Sequence, residues 1–256
     1  MGAATRPMSD LTITHIGGPT TLISIGGVRL LTDPTFDAPG RRYSFGLGTS
    51  SVKTAGPALP VAELGRIDAV LLSHDHHSDN LDDAGRALLP SAPVVLTTVS
   101  GAGRLGGNAR GLAPWASATV GDVEITATPA RHGPRLSRPL VGDAIGFTLR
   151  PPGASSVVWI TGDTVVFGGV REVARRFTVD TVVLHLGEVK FGLTGPVKYT
   201  MNGRDAAGLI AAVRPRVVVP VHYEGWSHFH EGRAGAEAAF PPGTLTWLTP
   251  GVPQAV

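Results

Sequence analysis

Eight consecutive residues, Ser73-His74-Asp75-His76-His77-Ser78-Asp79-Asn80, hold three histidines and two aspartates directly after the apolar run Ala69-Val70-Leu71-Leu72. Imidazole is the commonest protein ligand for transition metals, and with carboxylates it forms a donor set for divalent ions. If the strand continues, residues i and i+2 share a face, so His74 and His76 converge on one ion while Asp75 points away. The competing reading is a solvated, histidine-rich loop. Three more polar strand ends speak against it: His132 in Pro129-Ala130-Arg131-His132-Gly133, Asp163 in Ile160-Thr161-Gly162-Asp163-Thr164, and His222 in Val219-Pro220-Val221-His222-Tyr223. Singly, each has an ordinary explanation as a hydrogen-bonded histidine or a turn-capping aspartate. Loops at one end of packed sheets can meet, so together the four segments are expected to assemble one site.

The elements that must carry these residues follow from patterning. Residues 11–16, 21–25 and 28–32 read as short strands, and Gly26-Gly27 is a two-residue hairpin signal, so the chain opens with an antiparallel meander. Residues 33–60 are rich in Gly, Pro and Ser without periodicity and are expected to form a long loop, either a lid or a surface excursion. Strand 68–72, helix 81–89 and strand 93–97 follow. Further strands are expected at 122–127, 144–149 and 156–160, then helix 170–177 with strand 180–185 and helix 203–213 with strand 216–221. A helix at 229–239 and a strand at 244–248 close the chain. Strands followed by strand-helix alternation, twice over, predict an α/β protein with two sheets packed face to face and helices outside.

The composition bounds the function. At 256 residues, with 42% hydrophobic and only 16% charged residues, the chain can bury a large core in a single domain, while 34 glycines and 21 prolines imply many tight turns. A net charge of +2 and scattered arginines (Arg131, Arg135, Arg138; Arg171, Arg175, Arg176) give no footprint for nucleic acid. There is no cysteine, so disulfides, thiolate ligands and cysteine nucleophiles are excluded and any metal is held by nitrogen and oxygen. No apolar run reaches the ~18–20 residues of a membrane span. Met1 to Pro7 lacks the apolar core of a leader, and a cytoplasmic protein is expected. A homo-oligomer is left open.

The order of the four segments resembles the metallo-β-lactamase superfamily, whose motif H-x-H-x-D-H is followed by a distant His, an Asp after a strand and a final His. This chain differs in the first motif: His74-Asp75-His76-His77-Ser78-Asp79-Asn80 is one residue longer before the aspartate, and Asn80 stands where the family has the last histidine of the motif. His15-Ile16-Gly17-Gly18, Leu31-Thr32-Asp33-Pro34, Ile67 to His74 and Pro220-Val221-His222-Tyr223 further resemble the branch of ascorbate-6-phosphate lactonase and N-acylphosphatidylethanolamine phospholipase D. The resemblance covers nearly the whole chain. It implies a four-layer αββα sandwich and a metal-dependent hydrolase with one or two divalent transition ions, zinc first, manganese or iron as alternatives. His74, His76 and His132 would hold one ion. Asp79, Asp163 and His222 would hold the other, with Asp163 between them. A metal-activated hydroxide would attack a small ester, lactone or phosphoester, and Asp79 would orient the water or take its proton.

Replacing imidazole by the weaker amide donor of Asn80 loosens the second site, as ligand, as neighbour of a ligand, or with His77 substituting. His15, Asp33, His185, Glu188 and His228 are candidates for substrate contact or ligand support, as His230 is for a pocket wall. Lys53 and Tyr43 are weaker candidates for an anionic substrate. The alternatives to the hydrolase are a nucleic-acid-processing phosphodiesterase of the same superfamily and a non-catalytic metal-binding protein with a degraded second site. The stretch between Asp163 and His222 leaves little room for the extra domain of such nucleases. A redox iron branch is disfavoured because His76 is not acidic, and a β-lactamase proper is disfavoured by the branch resemblance.

Overall fold

Gly26 and Gly27, at φ +55° and +79°, supply the two left-handed residues of the first hairpin, a geometry that matches strand twist and that glycine adopts without strain. They join β2 (Thr20–Ile25) to β3 (Val28–Thr32), and β1 (Thr12–Gly17) pairs antiparallel on the other side of β2. The computed structural model describes residues 10–46, 48–135, 137 and 141–256; Met1 to Pro7 and Arg138 lie outside the described residues. The expected long loop holds a hairpin, β4 (Arg42–Gly46) and β5 (Thr49–Val52), tied to the body through Lys53 and Ser51. Its alternation is interrupted by glycines and serines, so it left no clear period in the sequence.

The meander continues into parallel pairing with β6 (Ala69–Leu71), β7 (Val95–Thr98) and β8 (Ala109–Leu112), separated by helices α1 (Asp83–Leu88) and α2 (Val99–Leu105). The second sheet runs β14 (Val217–Val221), β13 (Val179–His185), β12 (Val157–Ile160), β11 (Ile145–Arg150), β10 (Val123–Pro129), β9 (Ser117–Val120). Helices α3 (Gly168–Arg176), α4 (Gly203–Val213) and α5 (Arg233–Ala239) cover its outer face. The α2 helix escaped the sequence reading because Val99-Ser100-Gly101-Ala102-Gly103 lacks an apolar stripe; Thr98 starts it by accepting the Gly101 N–H.

The layers can be read from single strands. In β13, Val183 packs between the sheets with Ile13, Leu71, Ile125 and Phe147, whereas Val182 and Leu184 face Val173, Leu209 and Ile210 of the helices. On the far side, Val70 and Val95 meet Leu81, Leu88 and Leu89. Two mixed sheets flanked by helices give the αββα sandwich that the resemblance implied. The strand expected at 244–248 does not form. That segment makes one ladder-like bond, Thr246 N–H to Val218 O at 2.8 Å, and the edge position on β1 goes to β15 (Gln254–Ala255). The strand ends that matter, after β6, β10, β12 and β14, lie at one end of the sandwich.

Candidate metal centre

β6 stops at Leu71, so the segment that follows is not extended. The Asn80 and Leu81 N–H groups both donate to His77 O, at 3.1 and 3.0 Å, turning the chain toward α1. The irregular stretch before it brings His74 and His77 to one side. His77 Nδ1 lies 3.2 Å from His74 Nε2 and 3.1 Å from His132 Nε2, and all three rings are buried. Donors around a tetrahedral ion at ~2.0–2.1 Å stand about 3.3 Å apart, so this trio has ligand spacing. The expectation that His76 joins His74 is therefore corrected. His76 faces the other way, 3.6 Å from Asp75 and 3.5 Å from Arg104, and Arg104 holds Asp75 through two bonds at 2.9 and 2.6 Å. Strand alternation was the wrong rule because the strand had already ended.

A second group combines Asp79 from the same turn, Asp163 after β12 and His222 after β14, their donor atoms all within 4.8 Å of one another. His222 Nε2 is 3.3 Å from Asp163 Oδ2 and 3.5 Å from Asp79 Oδ2. His222 takes a left-handed φ of +58°, costly for a residue with a side chain, and its N–H donates to Gly18 O at 2.8 Å. Backbone carbonyls orient two rings: Nδ1 of His222 faces Leu186 O at 3.2 Å, and Nδ1 of His132 faces Tyr199 O at 3.0 Å, so each presents Nε2 inward.

Whether this set suits a metal is decided by unpaired atoms. Asp79 Oδ1 and Asp163 Oδ1 are buried without any partner, while His222 Nε2 and Asp163 Oδ2 make no well-formed hydrogen bond and meet only as an ion pair at 3.3 Å. Buried polar atoms in this state are costly unless something else binds them, and a divalent cation does. Protonation agrees. Burial, then neighbouring imidazoles, pushes His132 down to about 3 and His74 well below its ordinary value. Burial likewise takes His77 down to about 4, so the trio presents lone pairs. In the second group burial pushes Asp163 up. Burial opposes charge on His222, but Asp163 and Asp79 more than offset it and bring that ring to about 9. Burial alone would raise Asp79, but His222 and His228 hold it well below the carboxylate range.

The other candidates divide. His228 reaches the centre, its Nε2 3.0 Å from Asp79 Oδ2. Asn80 is fully buried, with Nδ2 donating to Ser73 Oγ at 3.3 Å and Oδ1 unpaired. His185 lies behind His222 at a ring separation of 5.8 Å, with Nε2 3.5 Å from Asp33 Oδ2; Asp33 accepts the Ser73 N–H at 2.6 Å. His15 bonds to Gly18 O at 3.0 Å and so props the turn that receives His222. Glu188 is not in the site. It pairs with Lys190 at 2.9 Å and Asn202 at 3.1 Å. Lys53 is buried against Asp82 at 2.7 Å and Tyr43 donates to Asp37, so neither is offered to a substrate. His230 contacts Lys190 O.

Sequence reasoning missed the aromatic wall. Phe45 from the β4–β5 hairpin lies 5.3 Å from His77 and 5.1 Å from His228, and Phe191 stacks on His228 at 5.2 Å. Tyr199 flanks His132 at 5.8 Å. Beside His132 opens a cavity of about 490 Å³ lined by Leu112, Pro114, Ile145, Phe167 and Arg131. Nothing local marked these residues, since their meeting depends on the packing of distant loops.

Comparison with known proteins agrees with this architecture. Residues 28–223 match the family model of the beta-lactamase superfamily domain, and the chain belongs to the metallo-β-lactamase superfamily. It is 26% identical over 208 residues to a UPF0173 metal-dependent hydrolase of Caldivirga maquilingensis, covering 78% of this chain and 77% of the relative. To that of Pelotomaculum thermopropionicum it is 28% identical over 201 residues, covering 74% and 83%. Among solved structures, the isothiocyanate hydrolase from Delia radicum gut bacteria shares the fold at TM-score 0.81 and 22% identity, covering 96% of this chain and 99% of that one. A possible metal-dependent hydrolase of Veillonella parvula does so at TM-score 0.84 and 18% identity, covering 97% and 100%. The protein is an enzyme, a metal-dependent hydrolase of this superfamily. Among the described residues no helix is long and apolar enough to cross a membrane.

Proposed function

We propose that the enzyme uses two divalent ions to hydrolyse a small ester, lactone or phosphoester that carries an apolar arm. The observation that carries this is the adjacency of two buried donor groups, His74/His77/His132 and Asp79/Asp163/His222, the second with Asp79 Oδ1 and Asp163 Oδ1 unpaired. Ions held there supply Lewis acidity that brings a water toward ionisation at neutral pH and polarises the substrate oxygen. The chain does the rest. Asp163, with Oδ1 unpaired and Oδ2 facing His222, would hold the second ion with His222, and Asp79 offers Oδ1 as ligand or proton acceptor. The aromatic wall of Phe45, Phe191 and Tyr199 takes the apolar arm and excludes water. Zinc suits the nitrogen-rich first group; the carboxylate-rich second group also suits manganese or iron.

The opening segment around His15 to Gly18 and Asp33 supports a lactonase-like branch. Hydrolysis of an isothiocyanate is a second reading, favoured by the same aromatic wall together with the fold shared with isothiocyanate hydrolase. The enzyme is read as cytoplasmic and as acting on small molecules, not nucleic acid. The test is elemental analysis of the purified protein, then turnover of aryl esters, lactones, bis-p-nitrophenyl phosphate, an aryl isothiocyanate and RNA. Bound metal with small-substrate turnover is the expected result. Less than about one metal equivalent, with no activity restored by zinc, manganese or iron, overturns the hydrolase reading. RNA cleavage without small-substrate turnover overturns the substrate class.

A further inference from the structure

Asn80 takes the place of the last histidine in the motif that the sequence resembles, and its side chain is turned toward Ser73 and His74. On the other side of Asp79, a histidine arrives from 149 residues away. His228 lies in the loop after β14, is 5% exposed, and sets its Nε2 3.0 Å from Asp79 Oδ2. Its Nδ1 meets Ser51 Oγ at 2.5 Å, and Ser51 belongs to β5 of the hairpin that covers the site. The ring is held between aromatic neighbours, stacked on Phe191 at 5.2 Å and flanked by Phe45 at 5.1 Å and Phe229 at 4.8 Å.

We propose that His228, with its tautomer set by Ser51, is the positioning residue that fixes Asp79 for the second metal ion and so compensates for the imidazole absent at Asn80. This rests on the reading of Asp79, Asp163 and His222 as ligands. The Ser51 hydroxyl donates to Nδ1, which leaves the His228 proton on Nε2, donated to Asp79 Oδ2. That bond occupies one carboxylate oxygen and leaves the other, Oδ1, unpaired and buried for the ion. Without it, only the longer contact to His222 Nε2, at 3.5 Å, restrains that oxygen. His228 is not itself a ligand of that ion. Its Nε2 is engaged by Asp79 Oδ2 at 3.0 Å, and the grouped donors are Asp79, Asp163 and His222.

The experiment is metal stoichiometry and affinity by equilibrium dialysis with zinc and elemental analysis, on wild type, His228→Ala, His228→Gln and Ser51→Ala. Wild type is expected to hold two equivalents. His228→Ala should keep the first with native far-ultraviolet dichroism and weaken the second by about 10–100-fold, the usual effect of losing an outer partner. His228→Gln, whose amide N–H can still reach Asp79, should recover most of the loss, and Ser51→Ala should fall between. Unchanged second-site affinity in His228→Ala overturns the proposal. So does a Gln variant no better than Ala, or loss of both equivalents together, since either means a merely structural role. A wild type that binds no zinc instead overturns the underlying reading of the ligands.

Discussion

His77 Nδ1 and His132 Nε2 stand 3.1 Å apart, two ring nitrogens from segments 55 residues distant in sequence, both buried and both held uncharged. Two neutral nitrogens brought this close, with His74 at the same spacing, are an arrangement that a shared ion stabilises. The relationship separates two adjacent histidines. His77→Ala should abolish the first metal equivalent and lower kcat/KM by more than the ~10–100-fold typical of an outer partner, whereas His76→Ala should stay within about tenfold of wild type. Metal content and steady-state kinetics on both variants check this. A His76 variant that loses metal while His77→Ala keeps it sinks the assignment.

The aromatic wall predicts a split between substrates. Truncating Phe191, which stacks on His228 and contacts Phe45, removes apolar surface from the substrate side of the centre. Burying an aromatic side chain contributes about 1.5–3 kcal/mol, so Phe191→Ala should raise KM for an aryl ester by ~10–100-fold. An acetate ester of a short alcohol should be affected far less. Equal losses on both substrates, carried by kcat, would show that Phe191 supports the metal site instead.

How much of this was legible in the sequence depended on whether the signal was local. The strand ends at His132, Asp163 and His222 were readable because each polar residue closes an apolar run, and β10, β12 and β14 stop where those runs stop. The choice between His76 and His77 was not readable from alternation. It turns on β6 ending at Leu71 and on the bonds that Asn80 and Leu81 donate to His77 O. The β4–β5 hairpin was hidden because much of its pairing surface is exposed or carried by small residues, so no buried face imposed a period. His228 was readable only as a general candidate for substrate contact or ligand support; its pairing with Ser51 could not be seen, because a contact across 177 residues is a property of packing.

Lys53 and Asp82 form an ion pair at 2.7 Å, with side chains 3% and 0% exposed, which joins the end of the hairpin to α1. Asp82 also caps α1 through Gly85 N–H at 2.8 Å and accepts the Phe36 and Asp37 N–H groups at 2.9 and 2.7 Å. Breaking a buried pair by removing one partner leaves an uncompensated charge and costs ~3–5 kcal/mol. Lys53→Met should therefore lower the unfolding free energy by about that amount in urea titration. Asp82→Ala should do at least as much damage, since it strands three N–H groups as well. A change below about 1 kcal/mol in both variants would show that the pair is not what anchors the hairpin.

The two halves of the centre should differ in their response to pH. Near pH 7 the first trio is already deprotonated, with His77 at about 4 and His132 at about 3, so the first ion meets free lone pairs and releases no proton. The Asp163–His222 pair differs, because burial opposes charge on the ring but the carboxylates win and hold it protonated up to about 9. An ion can use His222 Nε2 only after that shared proton leaves. The sign follows directly: below the raised value each unit of rising pH increases the competent fraction about tenfold, and above it the gain stops. Second-site affinity should thus climb between roughly pH 6 and 9 and then level, while first-site affinity stays flat above about pH 5. Calorimetric zinc titrations at pH 7 in buffers of different ionisation enthalpy count the protons. About one should be released with the second equivalent and none with the first. Equal release at both steps would contradict the charge distribution described for the Asp163–His222 pair.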